Sequence, residues 1–113
     1  MYVESLNINN YRNYDELFIT FDKNTNILYG DNAQGKTNIL ESIYMAATTK
    51  SHRGSKDREI IKIGEEESHI RLCIKKSDIS HRIDMHLRKN KNKGVAIDGL
   101  PIRRTTELFG LLN

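Results

Sequence analysis

The 113-residue chain has one cysteine, one proline, no tryptophan and no long apolar run. Each shortage excludes something. A single thiol, Cys73, cannot close an intrachain disulfide, so a reduced, cytoplasmic setting is expected, with Cys73 as a small core residue. Proline appears only at Pro101, and no stretch has the composition of a linker or a repeat. No apolar segment approaches the ~20 residues of a membrane span. The start, Met1-Tyr2-Val3-Glu4-Ser5, lacks the basic and apolar regions of a secretory signal.

What is present is a globular composition, 37% hydrophobic and 29% charged, of single-domain length. Its charge is unevenly spread. Residues 1–49 hold 3 Lys/Arg against 6 Asp/Glu, whereas residues 50–93 hold 13 against 7 and all 4 histidines. A basic middle segment suits either a polyanion-binding face or a solvated sheet surface with lysine-rich turns.

The pattern along the chain is mainly β. Residues 2–8 and 16–21 alternate as half-buried strands, with a polar turn across 9–15. Residues 25–29, TNILY, read as a strand covered on both faces. Residues 36–49 have helical spacing, with Ile39, Leu40, Ile43 and Ala47 on one face. A loop over 50–58 and a short strand or turn over 59–64 follow. Two alternating strands, 68–76 and 80–89, are joined by a short hairpin loop, and histidines 69, 81 and 86 are expected on their polar face. Asp98-Gly99 marks a tight turn, and Pro101 an edge strand. The last residues, TTELFGLLN, read as the start of a helix capped by Thr106, which suggests a piece of a longer protein.

The strand at 25–29 and the helix at 36–49 bracket the most informative stretch. Gly30-Asp31-Asn32-Ala33-Gln34-Gly35-Lys36-Thr37 matches G-x-x-x-x-G-K-[ST] at every fixed position. The glycines let the backbone turn and bring its N–H groups close to phosphate oxygens. The helix aims its positive end at the same anion. Lys36 can reach the terminal phosphates, and the Thr37 hydroxyl suits Mg²⁺.

This loop does not choose among ATPases, GTPases, kinases and motors. Hydrolysis also needs a carboxylate at the end of an apolar strand. VAID at 95–98 comes nearest, but a hairpin turn at Asp98-Gly99 explains it better. The chain is therefore expected to hold nucleotide with negligible turnover.

Further residues narrow the family. YRNY at 11–14, GDNAQGKTNILESIY at 30–44, KSHR at 50–53 and DREII at 57–61 together resemble RecF, a relative of the ABC-type heads of SMC proteins. Asn32-Ala33-Gln34 within the loop and Asn38 after it carry more of this resemblance than the bare phosphate motif. It is strong to about residue 61 and weaker through AIDGLPIRR at 96–104.

The resemblance implies a P-loop NTPase lobe of the α/β class: a mostly antiparallel sheet beside one P-loop helix. Residues 1–113 would be an N-terminal ATP-binding lobe. The Walker B strand, Q-loop and signature motif would lie in further chain. It implies ATP and Mg²⁺ as cofactors, with Gly30 to Asn38 around the nucleotide. Arg12 and Asn13 would reach it from the first turn; Asp31 stands where glutamate is more usual. It also implies a slow, DNA-dependent ATPase that acts in DNA repair at gapped DNA with RecR and RecO. That protein would form an ATP-dependent homodimer, with this portion alone a monomer. Lys50, His52, Arg53 and Lys56 are candidate DNA contacts or solvated loop residues.

Two rivals come from other classes. A small nucleoside or small-molecule kinase would want a parallel sheet and an arginine-rich lid. A DNA-binding module with a vestigial P-loop would bind DNA without any ATP effect.

Overall fold

We describe residues 1–22, 33–103 and 105–112 of a computed structural model. The strand expected at 25–29 and loop residues Gly30, Asp31 and Asn32 lie outside them.

The elements follow the order β1 Tyr2–Tyr11, β2 Tyr14–Thr20, α1 Ala33–Thr48, α2 Asp57–Ile60, β3 Glu67–Lys76, β4 Ile79–Arg88, β5 Gly94–Ile97, β6 Leu100–Pro101 and α3 Thr105–Leu112. The six described strands form one sheet, ordered β2-β1-β3-β4-β5-β6, with every neighbouring pair antiparallel. This is the predicted class of sheet.

Alternation builds it. Leu6 and Ile8 of β1, Ile70, Leu72 and Ile74 of β3, and Ile83, Met85 and Leu87 of β4 all point to one face and are buried. Polar side chains take the other face, which is what half-covered antiparallel strands require.

The hairpins are tighter than the sequence suggests. The β3–β4 ladder runs out to Lys76↔Ile79, leaving only Ser77 and Asp78 to turn, at φ 52° and 63°. Two consecutive positive φ values match the twist of the flanking strands. The first turn shrinks likewise from 9–15 to Arg12-Asn13, since Asn9 pairs with Glu16 and Tyr11 with Tyr14. Polar side chains did not end these strands, because backbone pairing and a buried Tyr11 hold them.

α1 packs on the apolar face of the sheet, beside α3. It begins three residues earlier than expected, inside the phosphate motif. Its buried face also differs. Asn38, Glu41, Ser42, Met45 and Ala46 are buried, while Leu40 and Tyr44 are exposed and Ile39 and Ile43 only half-buried. Hydropathy alone misplaces this face, because the polar groups turned inward find partners there.

Smaller corrections follow from the same geometry. Cys73 is not a core residue: it is half-buried on the polar face, opposite Arg82. His69 and His86 face outward and stack at 4.2 Å. His81 instead pairs in register with Ile74 and shares its face, at the sheet's end. α2 is a helical turn inside the span read as loop and strand, and Ile61 bridges to Tyr11. α3 starts at Thr105, so Thr106 is inside the helix rather than capping it. The hairpin at Asp98-Gly99 and the edge strand at Pro101 stand as expected.

Candidate nucleotide-binding site

The N-terminal turns of α1 carry the described part of the motif. With the helix starting at Ala33, the motif's residues from Ala33 to Lys36 form its first turn, where backbone N–H groups point toward the helix's N-terminal end. Lys36 and Thr37 are half-buried, and no acidic residue sits in the first turn. A first turn that carries no carboxylate of its own does not oppose the helix's attraction for an anion.

One step further along α1 the chemistry becomes dense. Glu41 is fully buried. Its Oε1 accepts from the Tyr11 hydroxyl at 2.8 Å and from Arg12 Nε at 3.0 Å. Its Oε2 accepts from Arg12 Nη2 at 2.7 Å and from the Ser51 hydroxyl at 2.7 Å. Arg53 Nε lies 3.6 Å from Oε2, and Arg53 Nη1 donates to Asn38 Oδ1 at 3.1 Å. Arg12 Nη2 also donates to the Ser55 hydroxyl at 2.9 Å. Three separate segments therefore meet on one carboxylate: the β1–β2 turn, α1 and the loop after α1.

The turn conformation makes this possible. Arg12 takes φ 54°, and its N–H donates to the Ile60 carbonyl at 2.6 Å. That bond ties the turn to α2 and aims the guanidinium at α1.

Charge states follow from the contacts. Burial by itself raises the Glu41 carboxyl, but hydrogen bonds from Arg12, Ser51 and Tyr11 and the Arg12 charge outweigh it, holding the group down to about 2. Burial, then the bond to Glu41, pushes the Tyr11 phenol well above its usual range. The bond to Glu41 raises Arg12 further. The set is thus a carboxylate, a neutral phenol and two guanidiniums.

The other expected residues are dispersed. Asn13 forms the turn with Arg12, and Asn38 is buried beside Arg53. Lys50, His52 and Lys56 are exposed; His52 meets the Tyr44 ring edge-on at 5.5 Å. Arg53 differs, its guanidinium turned inward onto Glu41 and Asn38. Asp98 closes a hairpin, accepting from Arg82 N–H at 2.8 Å and sitting 2.7 Å from His81 Nδ1. Among the described residues, no cluster of three His, Cys, Asp or Glu could hold a metal by itself.

Glu41 was missed by the sequence reading, together with Tyr11 and Ser51. One signal existed: Asn38, Glu41, Ser42 and Met45 also fall on one helical face, and a carboxylate there needs a cation.

Known proteins resemble this chain in family, sequence and fold. The family described as AAA domain matches residues 5–108. The DNA replication and repair protein RecF of Lachnoclostridium phytofermentans is 65% identical over all 113 residues, and that of Lachnospira eligens 60%. The chain spans 31% of the length of each. A solved structure of the recombination mediator protein RecF-ATP in the RecFOR pathway is 32% identical, with a TM-score of 0.85 over 95% of this chain and 29% of that one. The SMC head domain from Thermotoga maritima, 15% identical, shares the fold with a TM-score of 0.79 over 98% of this chain and 42% of that one. The chain belongs to the AAA domain family, and its likeness to RecF extends over its whole length.

Proposed function

We propose that this chain is the ATP-binding lobe of a RecF-like DNA repair protein. The observation that carries the reading is the phosphate motif, 30–37, running into the N-terminus of α1 on a sheet that superposes on RecF-ATP. Backbone N–H groups from Gly30 to Lys36 and the Lys36 ammonium hold the phosphates. Asp31, Asn32, Ala33, Gln34 and Asn38 complete the set of nucleotide-binding residues. Thr37 supplies a hydroxyl to Mg²⁺, whose remaining ligands come from phosphate oxygens and water. Arg12 and Asn13 approach the nucleotide from the β1–β2 turn.

The full-length protein on this reading dimerises around ATP, hydrolyses it slowly, and works at gapped DNA with RecO and RecR. Lys50, His52, Arg53 and Lys56 are offered to DNA, with Arg53 the least available of the four because of its contacts with Glu41 and Asn38. The kinase alternative loses ground, since every described strand pairing is antiparallel.

An equilibrium titration with a fluorescent ATP analogue tests the phosphate site. Lys36→Ala is expected to weaken binding at least tenfold. Equal affinity for both proteins would overturn the assignment.

A further inference from the structure

Glu41 poses a question that stability does not answer. A buried ion pair is commonly no more stabilising than a well-packed apolar residue of similar size. Here one carboxylate is fully buried and takes two guanidiniums, a phenol and a hydroxyl. Two guanidiniums thus meet on one carboxylate, and Glu59 is a further acidic charge felt by Arg12. Its place on α1 is specific. Glu41 follows Thr37 by four residues, about one turn or ~6 Å along the axis. Asn38, which takes Arg53, directly follows Thr37. The cations are therefore pinned close to the end of α1 that carries Lys36 and Thr37.

The pairing of Arg12 is also directional. Its Nε and Nη2 form a two-pronged contact with the carboxylate, which fixes the guanidinium plane. With that edge committed, the Nη1 side has one orientation to offer. Lysine could not be held this way, having a single rotatable ammonium.

We infer that Glu41 is a positioning residue for the nucleotide site: it orients Arg12, and with Asn38 holds Arg53, so that these guanidiniums stand in fixed orientation for the phosphate chain. The inference rests on the ATP-binding reading above and deepens it. Glu41 does not touch nucleotide. It acts through Arg12, and its loss leaves that guanidinium mobile rather than absent.

The test is a set of nucleotide titrations on the chain, at a temperature where circular dichroism shows every variant folded. Glu41→Gln keeps the side chain's shape and removes its charge. It is expected to weaken the ATP analogue about tenfold, and Glu41→Asp to recover part of that loss. In an Arg12→Ala, Arg53→Ala background, Glu41→Gln should cost nothing further, because both residues it positions have gone. Arg12→Lys should mimic Glu41→Gln, and it supplies the measurement if Glu41→Gln does not fold. A merely structural Glu41 would lower the melting temperature of Glu41→Gln and leave affinity within twofold; that result, or an unchanged affinity in Arg12→Lys, overturns the inference. Lys36→Ala separates the two readings. If it binds as well as wild type, both fall. If it loses binding while Glu41→Gln does not, only the positioning role falls.

Discussion

Arg12 Nη2 sits 2.7 Å from Glu41 Oε2, joining a hairpin turn to a helix 29 residues further along the chain. Acid should undo this pair in a defined window. The Glu41 carboxyl is held at about 2 in the fold, against 4.5 for an ordinary glutamate. Its contribution is therefore complete above pH 4.5 and is lost as pH falls through 2. Comparing wild type with Glu41→Gln by urea unfolding, the stability gap should shrink by about 3 kcal/mol between pH 6 and pH 2. A gap that stays constant would mean the carboxyl is not held down by Arg12, Ser51 and Tyr11.

Core and surface apolar residues should respond differently to truncation. Met85 is buried at the centre of the sheet, whereas Phe18 is 60% exposed. Met85→Ala is expected to cost about 2–5 kcal/mol, since the rigid sheet around it closes only partly over the cavity. Phe18→Ala should fall within about 0.5 kcal/mol of wild type. Chemical denaturation midpoints at constant slope measure both.

The Thr37 hydroxyl should govern metal dependence more than nucleotide binding itself. Thr37→Ala is expected to retain the metal-free affinity for the ATP analogue and to lose most of the gain that Mg²⁺ gives. Titrations with excess Mg²⁺ and with chelator make the comparison. A variant whose Mg²⁺ response matches wild type would remove Thr37 from the metal's ligands.

Much of the sheet was legible because alternation is a strong signal. Ile70, Leu72, Ile74, Ile83, Met85 and Leu87 named their own face, and Asp98-Gly99 named its turn. Strand ends were less legible. Asn9, Asn10 and Tyr11 look like a turn, yet cross-strand pairing keeps Asn9 and Tyr11 in the ladder to Tyr14. The face of α1 was hidden for a different reason. Hydropathy selects Ile39, Leu40 and Ile43, but the energy is decided by whether Glu41 finds Arg12, Ser51 and Tyr11, which come from distant segments. No local pattern records such a meeting. The phosphate motif, by contrast, is read from one continuous stretch, because its chemistry needs neighbours in sequence.

The polar inner side of α1 carries a mechanical consequence. An oily stripe tolerates small rolling about the helix axis, because dispersion contacts are forgiving in angle. A two-pronged contact between a carboxylate and a guanidinium is not. Slipping by one residue rolls a helix by about 100°. That roll would take Glu41 away from both arginines and from Tyr11 together. The helix thus has a single permitted azimuth, set by one keyed residue, and the same key fixes the direction in which Lys36 and Thr37 leave the helix surface.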